Sequence, residues 1–402
     1  MTQTTIEQVR RWRGPAVLSF GFRPFFLVSA LWAALAMGVW LLVLAGHVLV
    51  PTAFDPVSWH AHEFLFGYLG AAIAGFLLTA VPNWTGRLPL VGWRLGGLVA
   101  LWLAGRFAVV TSGQVSPVIA ALVDLAFPVV LAGALAREIV AGRNWRNLVV
   151  LGMLAVFTLG NALFHWEAAR GGYAASGMGL RIGLGAAIMM IAVIGGRIIP
   201  SFTRNWLAKG GTTALPAPPM QRLDRAVLLV LLVTLLSWAF FPSAQATGWL
   251  LLFTGALHLV RLVRWRGLAT LTEPLVAVLH AGYLFVPLGA LALGLEILRP
   301  GTLGMGGAQH LWMGGAVGLM TLAVMTRATL GHTGRPLSAD AGTVAVYWVL
   351  AVAVAARVAA GASPGLAGPF HAVSGVAWMA AFGGFCILYG PLLLRPRGMG
   401  GA

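Results

Sequence analysis

Acidic residues and cysteine are what this 402-residue chain has least of: 10 Asp+Glu and a single cysteine, Cys386. One cysteine excludes an intramolecular disulfide and any cysteine-based cluster or zinc ribbon. Within its apolar run, Cys386 reads as a small buried hydrophobe. Charge of either sign is scarce, 9% of residues against about 25% in a soluble domain, which excludes an ordinary soluble protein. The 26 Lys+Arg give a formal net charge of +16. They sit in short loops between apolar runs, where the positive-inside rule accounts for them without nucleic acid as a partner.

What is present is hydrophobic, at 59% of residues and a mean hydropathy of +0.89. Apolar runs of about 20 residues recur from end to end, and in lipid such runs must be helical so that every backbone group bonds internally. Twelve spans are expected, at about 25–49, 60–83, 91–111, 115–141, 145–169, 179–200, 222–242, 245–264, 273–298, 304–328, 341–361 and 366–394. The segment from Met1 to Phe22 is polar and basic and lacks a signal-peptide core, so the first run is expected to stay as a helix.

Placing the N-terminus inside puts most basic residues on the cytoplasmic side, among them Arg10, Arg11, Arg87, Arg197, Arg327, Arg335 and Arg397. Of the 26 Lys+Arg, only Arg106, Arg170, Arg181, Arg299 and Arg357 then fall on the outer half. This predicts a multi-pass protein with both termini cytoplasmic. The longest connection holds Gly210-Gly211-Thr212-Thr213 and Pro216-Ala217-Pro218-Pro219. It is expected to join halves 1–210 and 222–402 of a single integral membrane domain spanning 1–402.

Sliding the second span over the tenth aligns His62 with His310, Gly67 with Gly315, Gly70 with Gly318 and Thr85-Gly86-Arg87 with Thr333-Gly334-Arg335. The sixth span joins in part, through Gly185, Arg197 and Thr203. Spans four apart suggest three four-helix units about a pseudo-threefold axis. Chance is the competing explanation, because 53 glycines will align in any apolar chain.

Ionisable groups within spans usually mark a site, since leaving them in lipid costs several kcal/mol. The topology sorts the nine histidines by depth. His47, His60, His62, His165, His310 and His371 fall near the outer face; His258, His280 and His332 fall in the inner half. The densest motif is Trp59-His60-Ala61-His62-Glu63. Residues two apart on a helix point about 200° from each other, so His60 and His62 cannot both face one metal unless the first turn unwinds. Glu63 could orient the free nitrogen of His60 or relay protons. Asp124 reads either as part of a proton route or as a partner of Arg106. Imidazole suits haem iron, copper or zinc. For haem, the glycines of spans two, six and ten could part around a macrocycle, and Arg197, Arg204, Arg327 and Arg335 could hold propionates.

At these residues the chain resembles the NnrS family of haem- and copper-containing bacterial inner-membrane proteins. The likeness rests on Phe22-Arg23-Pro24-Phe25-Phe26, Trp59-His60-Ala61-His62-Glu63, Gly196-Arg197-Ile198-Ile199-Pro200, His280-Ala281-Gly282-Tyr283, and His310 with Met325-Thr326-Arg327 and Gly331-His332-Thr333-Gly334-Arg335. The resemblance implies haem, of the b type, and copper. It also implies a role in the nitric oxide and nitrosative-stress response of denitrifying bacteria. The expected metal ligands are His60, His62, His165, His258, His280, His310 and His332, with Arg197 and Arg327 beside the cofactor and Glu63 as the catalytic acid.

Twelve helices with a four-helix repeat also resemble the haem–copper oxidases, whose helices two and ten hold a haem. That makes His62 and His310 the first-choice axial pair, with copper placed at His60 and His165 or at His258 and His280. Reduction of two nitric oxide molecules to nitrous oxide consumes two electrons and two protons, with quinol or another donor as the electron source. The alternatives are a twelve-helix transporter with intramembrane histidines and a nitric oxide sensor or sink without turnover.

Overall fold

The computed structural model describes residues 12–86 and 90–396. Arg10, Arg11, Arg87 and Arg397, used above for orientation and for the repeat, lie outside the described residues. The chain is 81% helical, with no strand among the described residues.

Among the described residues, twelve helices are long and apolar enough to cross a membrane: α1 Phe22–Leu44, α2 Pro56–Thr85, α3 Trp93–Val110, α4 Pro117–Ala141, α5 Trp145–Ala169 and α6 Met178–Lys209, then α7 Arg222–Phe240, α8 Gln245–Val263, α9 Pro274–Leu298, α10 Met305–Thr333, α11 Ala341–Ala362 and α12 Pro364–Leu394. The protein is a multi-pass α-helical membrane protein. Each expected span has its helix, with ends that differ for local reasons. α1 stops at Leu44 because Gly46 turns left-handed (φ 74°), which leaves His47 exposed in the turn beyond it. α6 runs on past residue 200 to Lys209, because Thr203 and Leu207 stay buried while Arg204, Asn205 and Lys209 face outward. Hydropathy fades there, but amphipathic helix continues.

Four helices are the most enclosed. Of the most apolar window, 78% is buried in α2, 67% in α6 and α9 and 61% in α10, against 28–44% elsewhere. Three of the four also carry a π-helical turn: Glu63–Tyr68 in α2, Ile191–Gly195 in α6 and Leu311–Leu319 in α10. These are the spans picked out by the sequence repeat. The turns of α2 and α10 begin at aligned positions, Glu63 and Leu311, whereas that of α6 begins ten residues beyond the position the alignment gives. A π turn inserts an extra residue per turn and is most often found at functional sites.

The chain forms two compact units. The first takes the chain up to Gly183, with Ala328–Pro336 and the segment from Phe385 on; the second takes Leu184–Arg327 and Leu337–Gly384. The Gly/Pro connection after α6 therefore lies inside the second unit, not at the boundary between units. In the first unit α1 packs on α2, and α4 lies against α2, α3 and α5. Arg23 at the start of α1 donates to the carbonyls of Leu392, Leu393 and Arg395 (3.1, 3.0 and 2.6 Å), capping the end of α12 with a cation. In the second unit α8 and α9 touch backbone to backbone. A Cβ added at Gly294 would stand 2.7 Å from the Gly248 carbonyl, so only glycine admits this approach.

Candidate functional site

The first unit buries a polar cluster contributed by five helices, α1 to α5. Asp55 caps α2, accepting from the Ser58 amide at 2.9 Å, and Pro56 opens its first turn. The helix then widens into its π turn at Glu63, directly after His62. Two side chains adjacent in sequence meet here, His62 Nδ1 lying 3.1 Å from Glu63 Oε1. Gly67, one turn on, makes room for the partners of Glu63. An added Cβ there would stand 2.6 Å from Arg106 Nη1 and 3.1 Å from Trp32 Nε1. Gly105 does the same between α3 and α4, where a Cβ would lie 2.8 Å from Asp124 Oδ1.

Each bond in the cluster has a clear sense. Trp32 and Arg106 donate to the two Glu63 oxygens, both at 2.7 Å, and Arg106 also donates to Asp124. Asn161 donates to Asp124 Oδ2 at 2.7 Å, which turns its own oxygen toward His62 Nε2 at 3.0 Å. His165 Nε2 donates to the same Asp124 oxygen at 3.1 Å. Both ring nitrogens of His62 therefore face acceptors, a geometry that an imidazolium satisfies. Glu63, Asp124 and Arg106 sum to one negative charge, and an imidazolium or a metal ion at this point balances it. His62, Glu63, Arg106, Asp124, Asn161 and His165 are each at most 5% exposed, and Trp32 is half-buried.

The donor atoms of His62, Asp124 and His165 lie within 4.8 Å of one another. His62 Nε2 is 3.3 Å and His165 Nε2 is 3.1 Å from Asp124 Oδ2. Ligand atoms about 2.0–2.2 Å from a tetrahedral ion stand roughly 3.3–3.6 Å apart, so the set closes on a first-row ion after small adjustments. A cavity of about 10 Å³ adjoins Asp124 and Asn161, lined also by Phe66, Gly70, Phe157 and Thr158; it has room for roughly one water-sized molecule.

The remaining expected ligands go elsewhere. His60 points away from this cluster and stacks on Trp40, with centroids 4.5 Å apart and planes at 17°, and on Phe64. The Glu63 carboxylate serves His62, Arg106 and Trp32. His165 meets His62, their ring centroids 4.9 Å apart. His310 donates from Nδ1 to the Gly306 carbonyl at 2.6 Å. His332 packs on Phe20 and Phe22, and Arg327 lies over the Phe202 ring at 4.2 Å. Arg197 is half-buried. His62 and His310 belong to different units.

In the second unit the two buried histidines, His258 and His280, are each held by a hydroxyl, of Tyr283 and Thr203. His258 Nδ1 is 2.9 Å and Arg261 Nη1 is 2.8 Å from the Tyr283 hydroxyl, while Arg261 Nε donates to Asp224 at 2.7 Å. His280 Nε2 is 2.8 Å from Thr203 Oγ1. The glycines of α10 are already filled: a Cβ at Gly315 would stand 2.4 Å from the Phe285 ring, and one at Gly318 would stand 2.9 Å from Trp378.

Sequence reading missed Asn161, Trp32, Thr203 and Tyr283. Asn161 carried a signal, since it stands one helical turn before His165 in an otherwise apolar span. Thr203 and Tyr283 stood in the repeat and in the quoted motif, but nothing in the sequence gave their hydroxyls a partner.

Together these features define a polytopic membrane protein built around a buried histidine–carboxylate centre. Comparison with protein families narrows the class. The chain belongs to the NnrS family, whose model, described as NnrS protein, matches residues 16–397. No curated protein matches it.

Proposed function

We propose that the protein binds nitric oxide at a membrane-buried metal ion held by His62, Asp124 and His165, and acts in the nitrosative-stress response at a bacterial inner membrane. Membership of the NnrS family supports the nitric oxide role. The observation that carries the site is the convergence of three buried donor atoms within 4.8 Å. Two imidazoles and one carboxylate, with open positions left over, form a set that iron(II) and copper both accept. When bound, such an ion supplies an electron-rich site for a small diatomic ligand.

The chain's own residues supply the remainder. Asp124 and the paired Glu63–Arg106 hold the charge of the centre near neutral. Asn161 orients the Nε2 edge of His62. Glu63, in contact with His62 Nδ1, is placed to hold or pass a proton at that nitrogen. Apolar nitric oxide partitions into lipid, so it needs no polar pore to reach the cavity beside Asp124. Turnover to nitrous oxide, with electrons from quinol or another donor, is the catalytic form of this reading; binding without turnover makes the protein a sensor or sink. The basic loops favour both termini in the cytoplasm.

Haem fits these residues less well. Aromatic rings occupy the glycine gaps of α10, leaving no slot there for a macrocycle. An absorption spectrum and a metal analysis of the purified protein test the proposal, in the reduced state with and without nitric oxide. Wild type is expected to hold stoichiometric metal and to change spectrum with nitric oxide, whereas His165→Ala and Asp124→Asn lose both properties. A wild type with neither stoichiometric metal nor a haem Soret band ends the proposal.

A further inference from the structure

The topology expected from the sequence places five arginines on the outer half, away from the basic loops, where the positive-inside rule gives no reason for them. The structure accounts for four. Arg106 belongs to the buried cluster, Arg170 lies over the Trp166 ring at 5.2 Å, Arg181 donates to the Ser176 carbonyl at 2.5 Å, and Arg299 is exposed just beyond α9. Arg357 is different. It is half-buried within α11, and among the described residues its guanidinium makes no hydrogen bond, ion pair or ring contact.

Glycine packing holds it in place. α10 and α11 close on each other without side chains: a Cβ at Gly307 would stand 3.4 Å from the Gly361 Cα, and one at Gly304 would stand 3.6 Å from the Gly361 carbonyl oxygen. Arg357 precedes Gly361 by one helical turn and so shares its face. Its guanidinium is thereby carried onto Gly306 of α10, where an added Cβ would stand 3.0 Å from Nη2. His371, half-buried near the start of α12, lies close enough to interact with the Arg357 charge. Among the described residues, the acid at this end of the second unit is Glu296. It is buried and accepts from the amides of Gly301 and Leu303 at 2.7 and 2.9 Å, so it leaves Arg357 without a countercharge.

A cation inside a span is costly unless something pairs with it. A guanidinium presents a fork of donors that matches the oxygens of a phosphate. The surroundings point to lipid as the source. Val352 on the same helix and Leu366 just beyond it are 51% and 56% exposed, as residues that face acyl chains are. With Glu296 enclosed, the unit offers no carboxylate here for the ammonium of a zwitterionic headgroup.

We propose that Arg357, with His371 beside it, binds the phosphodiester headgroup of an anionic lipid against the Gly306 face of α10. The site lies within the second unit and is independent of any metal held by His62, Asp124 and His165.

The test is native mass spectrometry of the full-length protein, incubated in detergent with phosphatidylglycerol or with phosphatidylcholine of the same acyl chains. Wild type is expected to keep one phosphatidylglycerol under activation that strips phosphatidylcholine. Arg357→Gln should weaken that retention about 10–100-fold, the worth of one hydrogen bond to a charged group. Arg357→Lys, which keeps the charge but loses the fork, should fall between, and Arg299→Gln should match wild type. Phosphatidylglycerol should raise the thermal midpoint of wild type and leave that of Arg357→Gln where it was. Without added lipid the two midpoints should agree, because the charge removed has no partner in the protein. Retention unchanged in Arg357→Gln overturns the proposal, as does phosphatidylcholine held as firmly as phosphatidylglycerol. Displacement of the lipid by inorganic phosphate would assign the site to a soluble anion and overturn it too. A lower midpoint for Arg357→Gln in lipid-free detergent would mean that Arg357 serves the fold itself, which also defeats the reading.

Discussion

The two units solve the same problem in opposite ways. Each buries two histidines, an arginine and an aspartate in a low-dielectric interior. In the first unit the carboxylate comes to the histidines: Asp124 touches His62, His165 and Arg106. In the second unit the ion pair stands apart, Asp224 bound to Arg261, and the histidines are held by the neutral hydroxyls of Tyr283 and Thr203. Composition alone does not set the chemistry of a buried centre. The placing of one carboxylate decides whether the imidazoles belong to a charged network or are held by neutral hydroxyls.

The comparison breaks most visibly at Arg106. Arg106→Met leaves Glu63 and Asp124 facing each other with one countercharge fewer. Removing one partner of a buried pair costs about 3–5 kcal/mol, so this variant should show a large fall in thermal midpoint in detergent or fail to accumulate. His280→Ala, which removes no charge, should keep a midpoint much nearer wild type. Equal losses in the two variants would erase the distinction between the units.

A matched pair of glycines sharpens the contrast at smaller scale. Gly67→Ala drives a methyl to 2.6 Å from Arg106 Nη1, while the same change at Gly70 meets nothing within 4 Å. The first should cost about 1–3 kcal/mol through overpacking. The second should be neutral or gain up to about 1 kcal/mol from helix propensity. Thermal midpoints measured side by side decide this, and metal content of Gly67→Ala reports whether the strain reaches His62.

The twelve spans were legible because hydrocarbon thickness imposes about 20 apolar residues on each crossing, and helix is the only form that bonds its own backbone. His62, His165 and Glu63 were legible as candidates because ionisable groups are rare in such spans. Their grouping was not. Regular helical geometry sends adjacent side chains about 100° apart, and nothing in the motif itself says that Glu63 and His62 join one network through Asp124, Arg106 and Asn161 of other helices. His60, in the same motif, belongs to an aromatic stack with Trp40. The second unit was less legible still, because the orientation of His280 depends on one hydroxyl hydrogen of Thr203, 77 residues away in sequence.

Thr203 is also the test of how lightly the second unit is held. Thr203→Val keeps the shape and removes one hydrogen bond, a net loss of about 1 kcal/mol in stability. The ring of His280 should then sample both tautomers. In nitrogen-15 spectra of labelled histidine, the wild-type signals of His280 should be those of a pure Nε2–H imidazole, and the variant should shift toward the mixed average. Wild-type signals already at that average would mean that Thr203 does not orient the ring.

The smallest effect belongs to a site remote from both pairs of histidines, and it calibrates the rest. Asp340 caps α11, accepting from the Thr343 amide at 2.8 Å, and this bond to backbone holds its carboxyl below the usual range. A depressed carboxyl contributes stability that is present above its unfolded value, about 3.9, and is lost as pH falls through the folded value. Asp340→Ala should therefore cost about 0.5–1 kcal/mol at neutral pH, with the gap to wild type closing in acid. The metal content of the His62–Asp124–His165 centre should stay untouched. A loss of metal in Asp340→Ala would show that general loosening of the helices empties the site, and the specific effects expected at His165 and Asp124 would then need to exceed that background.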